Sequence, residues 1–345
     1  MAPNQESNRS PLILNHADVA AHLPMRDCIG AMKDAFAAME RGDVALPLRS
    51  VTALPHGAGW LASMPSCLLG DPPLAAVKTI TVVPRNSGTP LDSHQGAVLL
   101  FDASNGRLLA ILDAGMITAI RTAAASALAT DVLARRDAGD LAILGTGTQA
   151  RTHLEAIASV RTLRRVRVWG RHRERAESFA ADATLAVGTP GVRIEVASSA
   201  RDAVDGADIV VTVTASGEPV LHGTWLAPGS HVNAVGACRP NLRELDGEAV
   251  KRARVFVDRR ESAMAEAGDL LLAIAEGAVG PNPIVAELGA VIAGTAPGRL
   301  DAIDITLFES LGIAVQDLAA ARVAYTRAID AGTGVRIDLG GMRHA

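Results

Sequence analysis

The sequence has few of the residues from which covalent or metal cross-links are made. Its three cysteines, Cys28, Cys67 and Cys238, are widely spaced and form no C-x-x-C pair. An odd number of isolated cysteines gives neither a disulfide framework nor a structural zinc site. No group of His, Cys and Asp residues has the spacing of metal ligands, so we expect no bound metal.

Long apolar runs and an excess of charge of one sign are also missing. The net charge is −4 without a block of like charges, which gives no indication of a nucleic acid or a membrane surface as partner. No apolar run approaches the ~20 residues of a membrane span. Residues 1–10 are polar and are predicted to be disordered. They lack the basic segment followed by an apolar segment that is typical of a secretory signal. We therefore expect a cytoplasmic protein.

The most informative stretch is residues 141–150, LAILGTGTQA, in which an apolar run ends in two glycines one residue apart. A strand-like run before it and a helical pattern after it match the G-x-G-x-x-G/A fingerprint of a dinucleotide-binding turn. Gly145 permits the tight turn, Gly147 lets the backbone approach a pyrophosphate, and Ala150 lets the helix pack on the strand. The amides of that helix's first turn would bind the phosphates.

Composition and segment order predict two domains. The 345 residues exceed one ordinary core, and the hydrophobic fraction of 49 % includes only 3 % aromatics, which suits α/β packing. Strand-like runs alternate with helical patterns after the glycine motif, as in an open parallel sheet. We predict an α/β protein with a doubly wound Rossmann domain over residues 131–309 and a split α+β domain over residues 1–130 and 310–345.

The end of the second predicted Rossmann strand bears on the choice of dinucleotide. A free ribose 2′-OH usually meets an Asp or Glu about 20 residues past the glycines. Here Arg171, His172 and Arg173 stand at that place, and arginine suits a phosphate monoester. This favours NADPH over NADH, although Glu174 keeps NADH as the alternative.

Three basic residues stand in apolar surroundings of the first domain. Alternation along the strand around Lys78 puts its amine on the face of Ala76 and Ile80. Arg121 lies on an apolar stripe of a long predicted helix, and Arg49 ends an apolar run. A buried cation needs a counter-charge, and the neighbouring strand segments supply few carboxylates, so a substrate carboxylate would fill that role. For each residue alone, the alternative is a buried stem with its head group in water.

These residues lie within a wider resemblance to the ornithine cyclodeaminase/mu-crystallin family, which extends over nearly the full chain. It is carried by residues 77–79 (VKT), 115–124 (GMITAIRTAA), 144–150 (LGTGTQA), 233–240 (NAVGACRP) and 243–246 (RELD). The resemblance implies a homodimer, a Rossmann domain that binds NAD(H) or NADP(H), and a substrate-binding and dimerisation domain formed by the split part of the chain.

The resemblance also implies the roles of individual residues. Arg49, Lys78 and Arg121 would hold the substrate's α-carboxylate, with Lys78 and Arg121 as the catalytic pair. Met64 and Cys238 complete the predicted substrate site. The predicted cofactor site consists of Gly145, Thr146, Gly147, Thr148, Gln149, Ala150, Arg171, His172, Arg173, Thr214, Ala215, Ser216, Val235 and Gly236. Further candidates are His94, Asp304, residues 310–312 and Asp317.

The chain departs from the family pattern at Cys238. Ornithine cyclodeaminases carry at the matching place an aspartate that binds the substrate amino group, whereas residues 236–240 here read GACRP. A thiol there either packs or polarises a water. This favours a ketimine reductase that converts cyclic 2-carboxy imines, such as Δ1-pyrroline-2-carboxylate or Δ1-piperideine-2-carboxylate, to L-amino acids.

Three alternatives stay open from the sequence. The first is an ornithine cyclodeaminase, a lyase that uses NAD catalytically. The second is an amino-acid dehydrogenase acting on an open-chain imino acid, for which the basic Arg239 is of interest. The third is a non-catalytic protein that keeps the dinucleotide pocket.

Overall fold

The computed structural model describes residues 10–86, 89–186 and 192–340. The predicted disorder over the first nine residues falls outside this range. The strands of the described residues are β1 (Leu12–Leu14), β2 (Val44–Ala45), β3 (Ser50–Ala53), β4 (Trp60–Leu68), β5 (Leu74–Val82), β6 (His94–Asp102), β7 (Leu108–Asp113), β8 (Asp140–Leu144), β9 (Arg165–Trp169), β10 (Arg193–Val196), β11 (Ile209–Thr212), β12 (His231–Ala234), β13 (Ala253–Val257), β14 (Ile284–Glu287), β15 (Ile305–Glu309) and β16 (Val335–Arg336).

The helices of the described residues are α1 (His16–His22), α2 (Met25–Glu40), α3 (Ala114–Leu133), α4 (Thr148–Val160), α5 (Arg173–Ala186), α6 (Ala200–Val204), α7 (Gly247–Arg252), α8 (Arg260–Glu266), α9 (Gly268–Ala275), α10 (Leu288–Ala293) and α11 (Ala314–Ala331). Short 3₁₀ turns lie at Pro55–Gly57, Pro84–Asn86 and Gly223–Trp225.

The chain divides into two compact units. The first comprises residues 1–121 and 313–345, and the second comprises residues 122–312. The structural boundary after residue 121 lies within α3, and the predicted boundary after residue 130 lies nine residues later in the same helix. A sequence pattern does not mark such a boundary, because the helix continues through it without a break.

The first unit is built on a mixed sheet with the order β16-β1-β7-β6-β5-β4-β2, to which β3 adds by pairing with β4. The long strands β4 to β7 pair antiparallel in sequence order, as their alternating patterns and turn residues predict. Helix α11 packs on β4, β5 and β6 and also contacts α2. The alternate residues of these strands that face the helices, such as Ala76, Ile80 and Val98, are buried.

The second unit contains a sheet in which every pair of neighbouring strands is parallel, with the order β10-β9-β8-β11-β12-β15-β13-β14. Its central strands β11, β12 and β15 are buried at every residue, as expected for a parallel sheet with both faces covered. The chain leaves β8 toward β9 on one side and later returns to β11 on the other. This reversal places a switch point at the carboxyl end of β8, and the predicted doubly wound Rossmann domain is confirmed.

Helix α3 is the long predicted helix that carries Arg121, and it is strongly apolar. Its 20 residues reach a mean hydropathy of 1.3 over the most apolar window, so by length and composition alone it resembles a membrane span. However, 78 % of that window is buried inside the protein. An alanine-rich helix buried on most sides is typical of a domain core.

The two amino-terminal helices begin in different ways. Asn15 caps the short helix α1 through a capping box with Asp18. Helix α2 follows Pro24 without a side-chain cap. Strand β1 is only three residues long and pairs with β7 and β16, and so short a run shows no readable alternation.

Candidate active site

Lys78 lies in the middle of β5 and is fully buried, with 1 % of its surface exposed. Its neighbours across the sheet are Met64 on β4 and Val98 on β6, both on the helix-facing side and both buried. The alternation along β5 therefore predicted the buried position of the Lys78 amine correctly. The alternative, in which the ammonium of Lys78 reaches the solvent, is wrong.

The counter-charge for Lys78 is a residue of the protein, which corrects the expectation that a substrate carboxylate would fill that role. Asp317, in the first turn of α11, lies 2.9 Å from Lys78 Nζ through each of its carboxylate oxygens, and Lys78 donates a hydrogen bond to Oδ1. The two residues are 239 positions apart in the chain. The strand segments around Lys78 could not reveal this partner because α11 returns to the sheet from the end of the chain.

Arg121 binds the same carboxylate. Its Nε donates to Asp317 Oδ1 over 3.0 Å, and its Nη1 donates to Gln316 Oε1 over 2.9 Å. Lys78 Nζ also donates to Thr118 Oγ1, one turn before Arg121 on α3, over 3.2 Å. Two cations from β5 and α3 thus share one carboxylate from α11, and this group, with Thr118 and Gln316, is called the cation cluster below.

The cation cluster keeps an excess of positive charge. Lys78 and Arg121 contribute two cations, and Asp317 contributes one anion. The pKa of Lys78 is lowered to about 8, mainly by burial and also by the charge of Arg121, whereas the charge of Asp317 opposes this shift. Burial raises the pKa of the nearby Cys28 thiol to about 12, so this residue adds no negative charge at neutral pH. An acid of small size is the natural complement of such a site.

Arg49 extends the positive character of this region, and the charges of the region also act on His94. Arg49 is half-buried just before β3, and its charge contributes to the lowered pKa of Lys78. Partial burial of the ring, and then the charges of Lys78 and Arg121, lower the pKa of His94 against the opposite effect of Asp92. The structure therefore brings Arg49, Lys78, Arg121 and His94 into one neighbourhood of the first unit.

In the second unit, the predicted strand–turn–helix is present as β8, the turn 145–147 and α4. Gly145 has φ of +133°, and a Cβ there would stand 2.7 Å from the carbonyl oxygen of Val213, so glycine is required. At Gly147, the N-cap of α4, an added Cβ would have no neighbour within 4 Å. There is open space in front of this helix.

The beginning of α4 fits a phosphate group. The first turn of this 13-residue helix contains no acidic residue, and its first amides have no partner within the helix. These amides belong to Thr148, Gln149 and Ala150, three residues of the predicted cofactor site. Open space, free donors and the positive end of the helix dipole together make an anion site, as the pyrophosphate of a dinucleotide requires.

The tip of β9 lies beside this turn. A Cβ on Gly170 would stand 2.6 Å from Cγ2 of Thr146, so the residues that follow Gly170 begin next to the glycine turn. Arg171 and His172 are exposed there. Arg173, predicted as a third phosphate ligand, is also exposed and pairs with Glu177 one turn along α5, over 2.8 Å, because α5 begins at Arg173.

The remaining predicted cofactor residues follow β11 and β12 at the same edge of the sheet. The first loop, residues 213–218, contains Thr214, Ala215 and Ser216. The second loop, residues 235–240, contains Val235 and Gly236. Both loops are connected to Glu244, a buried carboxylate. Glu244 was not among the predicted site residues, because its position in a stretch of mixed polarity gives no signal of burial.

The other candidates are placed differently. Cys238 is half-buried in the second loop, 3.9 Å from the carbonyl oxygen of Gly236 through its sulfur, and packs against the apolar core of this unit. Asp304 precedes β15, at the edge of the sheet opposite the glycine turn, where it accepts hydrogen bonds from the amides of Leu300 and Asp301. Asp304 is therefore a turn residue and not a site residue, whereas residues 310–312 follow β15 at the edge of the glycine turn.

A Rossmann unit with a glycine turn, joined to a unit with a buried cation cluster, is the arrangement implied by the family resemblance. The sequence profile of the ornithine cyclodeaminase/mu-crystallin family matches residues 9–332. The chain belongs to this family.

Individual relatives agree with this membership. The ketimine reductase mu-crystallin of Mus musculus is 42 % identical over 321 residues, which are 92 % of this chain and 97 % of the relative. The Δ1-pyrroline-2-carboxylate reductase of Thermococcus litoralis, solved in complex with NADH and L-proline, superposes with a TM-score of 0.91 at 35 % identity and covers 94 % of this chain and 100 % of its own.

A second solved structure has a different activity. An archaeal alanine dehydrogenase dimer with bound NAD is similar with a TM-score of 0.89 at 31 % identity, over 96 % of this chain and 100 % of that one. The family resemblance and the fold class read from the sequence are thus both confirmed. Within the described residues no group of three or more His, Cys, Asp or Glu side chains is arranged to hold a metal ion.

Proposed function

We propose that this protein is an NAD(P)H-dependent ketimine reductase that converts cyclic 2-carboxy imines of the Δ1-pyrroline-2-carboxylate and Δ1-piperideine-2-carboxylate type to L-amino acids. The observation that carries the proposal is the cation cluster, in which Lys78 and Arg121 share one carboxylate, Asp317. Its excess positive charge is buried, and a substrate carboxylate would neutralise it. The similarity to a ketimine reductase and a Δ1-pyrroline-2-carboxylate reductase supports the same activity.

The residues of the cluster have distinct roles in this proposal. Arg121, fixed by Asp317 and Gln316, and Arg49 hold the substrate carboxylate, and Met64 provides an apolar wall. Lys78 has three N–H donors, of which Thr118 and Asp317 accept one each. The third is left for the substrate, where it orients the imine and can donate a proton to its nitrogen.

The dinucleotide supplies the hydride that reduces the carbon of the C=N bond. The amides at the start of α4 would hold its pyrophosphate, and Thr146 and Gly147 would line the turn beside it. The loops after β11 and β12 would hold the rest of the cofactor. In this proposal the first unit binds the substrate acid, and the second unit binds the dinucleotide.

NADPH is the preferred cofactor in our proposal, with NADH as the alternative. Arg171 and His172 are exposed beside the glycine turn and form no ion pair with another described residue. We expect Arg171→Ala to raise the Kd of NADPH by roughly 10-fold and to leave that of NADH nearly unchanged, because only NADPH carries the 2′-phosphate. Equal changes for both cofactors, measured by fluorescence titration, would contradict this preference.

The activity itself is tested with a panel of imines. Five- and six-membered cyclic 2-carboxy imines and open-chain imino acids are each incubated with NADPH and with NADH, and oxidation of the cofactor is followed. We expect turnover of the cyclic imines with the carboxylate and none of the same rings without it. No oxidation with any cyclic imine would overturn the proposal.

Two rival activities give different results in the same panel. Preference for an open-chain imino acid would indicate an amino-acid dehydrogenase, an alternative that the likeness to an alanine dehydrogenase favours. Release of ammonia from ornithine without net oxidation of the cofactor would indicate a cyclodeaminase. A protein that binds the cofactor and turns over none of these compounds would be a binding protein.

We also propose that the protein is a cytoplasmic homodimer. The sheet face of the first unit that is turned away from α11 carries an apolar row formed by paired residues of five strands, Pro65, Val77, Leu99, Ile111 and Ile13, all half-buried or exposed. A second copy would cover this row. We expect Leu99→Glu to give a monomer in sedimentation experiments, whereas Leu300→Glu, at an exposed leucine of the second unit, should not.

A further inference from the structure

Glu244 connects the two loops that the proposed function assigns to the cofactor. Its Oε1 accepts a hydrogen bond from the amide of Thr214 over 2.5 Å, and its Oε2 accepts one from the amide of Gly236 over 2.7 Å. Each oxygen of one carboxylate therefore holds one loop. Because β11 and β12 are neighbouring parallel strands, the two loops leave the same edge of the sheet.

The loops meet without space between them. A Cβ on Gly236 would stand 2.1 Å from the carbonyl oxygen of Thr214 and 2.6 Å from Cδ of Glu244, closer than real Cβ atoms approach other atoms. The contact between the loops thus depends on the absence of a side chain at position 236. The carboxylate bridge and this close approach therefore belong to one contact between the loops, formed by Thr214, Gly236 and Glu244.

Glu244 is itself fixed in place. Its own amide and that of Leu245 donate to Oδ1 of the buried Asp269, over 2.8 and 2.7 Å. Its carbonyl oxygen accepts hydrogen bonds from the amides of Val220 and Leu221. The side chain therefore projects from a backbone held on both sides, and it is fully buried, so it does not exchange its partners for water.

The bridge is made by backbone amides rather than by a cation, since no described residue forms an ion pair with Glu244. Burial raises the pKa of Glu244, and the hydrogen bonds from Thr214 and Gly236 oppose this effect. The ionised carboxylate accepts from both amides at once, one with each oxygen. Replacing one oxygen by an NH₂ group would leave one of the two loops without an acceptor.

We infer that Glu244 is a positioning residue, which joins the loops 213–218 and 235–240 in the conformation that binds the dinucleotide without touching the cofactor or the imine. This inference rests on the proposed function. It predicts that loss of the bridge weakens cofactor binding, because the loops must then be ordered when the cofactor arrives, and leaves the cation cluster of the other unit unchanged.

The test compares Glu244→Gln with Glu248→Gln, a change of the same kind four residues away at a half-buried carboxylate of α7. We expect E244Q to raise the Kd and KM of NADPH by roughly 10- to 100-fold, with the KM of the imine nearly unchanged, and E248Q to behave as the wild type. Gly236→Ala should give the same pattern as E244Q. A residue that only stabilised the fold would lower the melting temperature without this split between the two KM values.

Three outcomes overturn the inference. If folded E244Q binds NADPH as tightly as the wild type, Glu244 does not position the loops. If E244Q fails to fold, residue-resolved hydrogen exchange of the wild type without cofactor decides. Slow exchange at the Thr214 and Gly236 amides supports the bridge, and exchange there as fast as at the exposed Ala215 overturns it. A wild type that binds neither NADPH nor NADH would remove the proposed function and this inference together. If the wild type binds a cofactor and E244Q binds it equally well, only this inference fails.

Discussion

The protein contains two buried groups built around carboxylates. Cations surround the carboxylate of the first group, and backbone amides surround the carboxylates of the second. In the first unit, Asp317 lies between the cations Lys78 and Arg121. In the second, Glu244 and Asp269 accept hydrogen bonds from backbone amides, and no described residue forms an ion pair with either. One group has an excess of positive charge, and the other has none to offer.

This difference corresponds to two different tasks. A group that must bind an anion needs positive charge that the protein does not fully cancel, and the cation cluster has this charge because it buries two cations around one anion. A group that must hold backbone segments needs directed acceptors, and a carboxylate with two oxygens provides them without attracting a ligand. In the proposed function, the uncancelled charge of the first unit therefore serves binding, and the directed acceptors of the second unit serve positioning.

Removing a cation is the strongest way to test this contrast. Lys78→Met keeps the apolar stem but removes the ammonium, and we expect kcat/KM for the imine to fall by about 100- to 1000-fold, as for other broken buried charge contacts. The Kd of NADPH should stay unchanged. Lys33→Met, at an exposed lysine of α2, serves as control, and turnover of Lys78→Met at the wild-type rate would show that the cluster is not the site.

Removing one carboxylate from each group should affect stability unequally. Asp317→Asn leaves two buried cations without their anion, and we expect a loss of about 3–5 kcal/mol in the free energy of unfolding. Asp269→Asn can keep the carbonyl oxygen that accepts both amides. Burial, and then the charge of Glu244, raise the pKa of Asp269 above its ordinary value, so a neutral amide is a closer substitute for Asp269 than for Asp317.

For Asp269→Asn we therefore expect a loss below about 1.5 kcal/mol. Urea denaturation of both variants at pH 7 measures the difference. Equal losses would mean that Asp269 is held as an anion, as Asp317 is, and the contrast between the two groups would disappear.

The pH dependence of acid binding follows from Lys78. Its pKa is lowered to about 8, chiefly by burial, from the ordinary value of 10.5. Binding of a carboxylate should weaken above pH 8, by up to about tenfold per pH unit, as the ammonium is lost. Between pH 8 and 10.5 only the unfolded chain keeps this proton, so the contribution of Lys78 to stability rises with pH in that window.

An inhibitor such as pyrrole-2-carboxylate, whose ring does not ionise in this range, reports the effect through its inhibition constant. Lys78→Arg keeps a permanent charge and should lose the dependence. The same weakening in both proteins would assign it to another group.

The smallest effect is expected at Cys238. Its sulfur packs against the core of the second unit and makes only a weak contact with the carbonyl oxygen of Gly236. We expect Cys238→Ser to change kcat/KM by less than about twofold. A loss of more than about tenfold in steady-state kinetics, with normal NADPH binding, would show that the thiol takes part in the reaction.

Much of the second unit could be predicted from the sequence because its signals are local. The apolar run, the glycines and the helix of residues 141–160 are consecutive, and a parallel sheet with both faces covered requires apolar strands such as 209–212. The boundary within α3 and the three-residue β1 could not be predicted, because neither has a local pattern. The ion pair of Arg173 with Glu177 could not be predicted either, because the two side chains become neighbours only when α5 forms.

The sequence by itself determined the Rossmann fold, the dinucleotide turn and the identity of the cations Lys78 and Arg121, since alternation and composition place a charge among apolar residues without reference to distant segments. Only the tertiary structure decided what faces those charges. Asp317 reaches Lys78 across 239 positions, and Glu244 joins loops that lie 30 and 8 positions before it. Such partners are selected by the packing of whole elements, which no periodicity in a single stretch records.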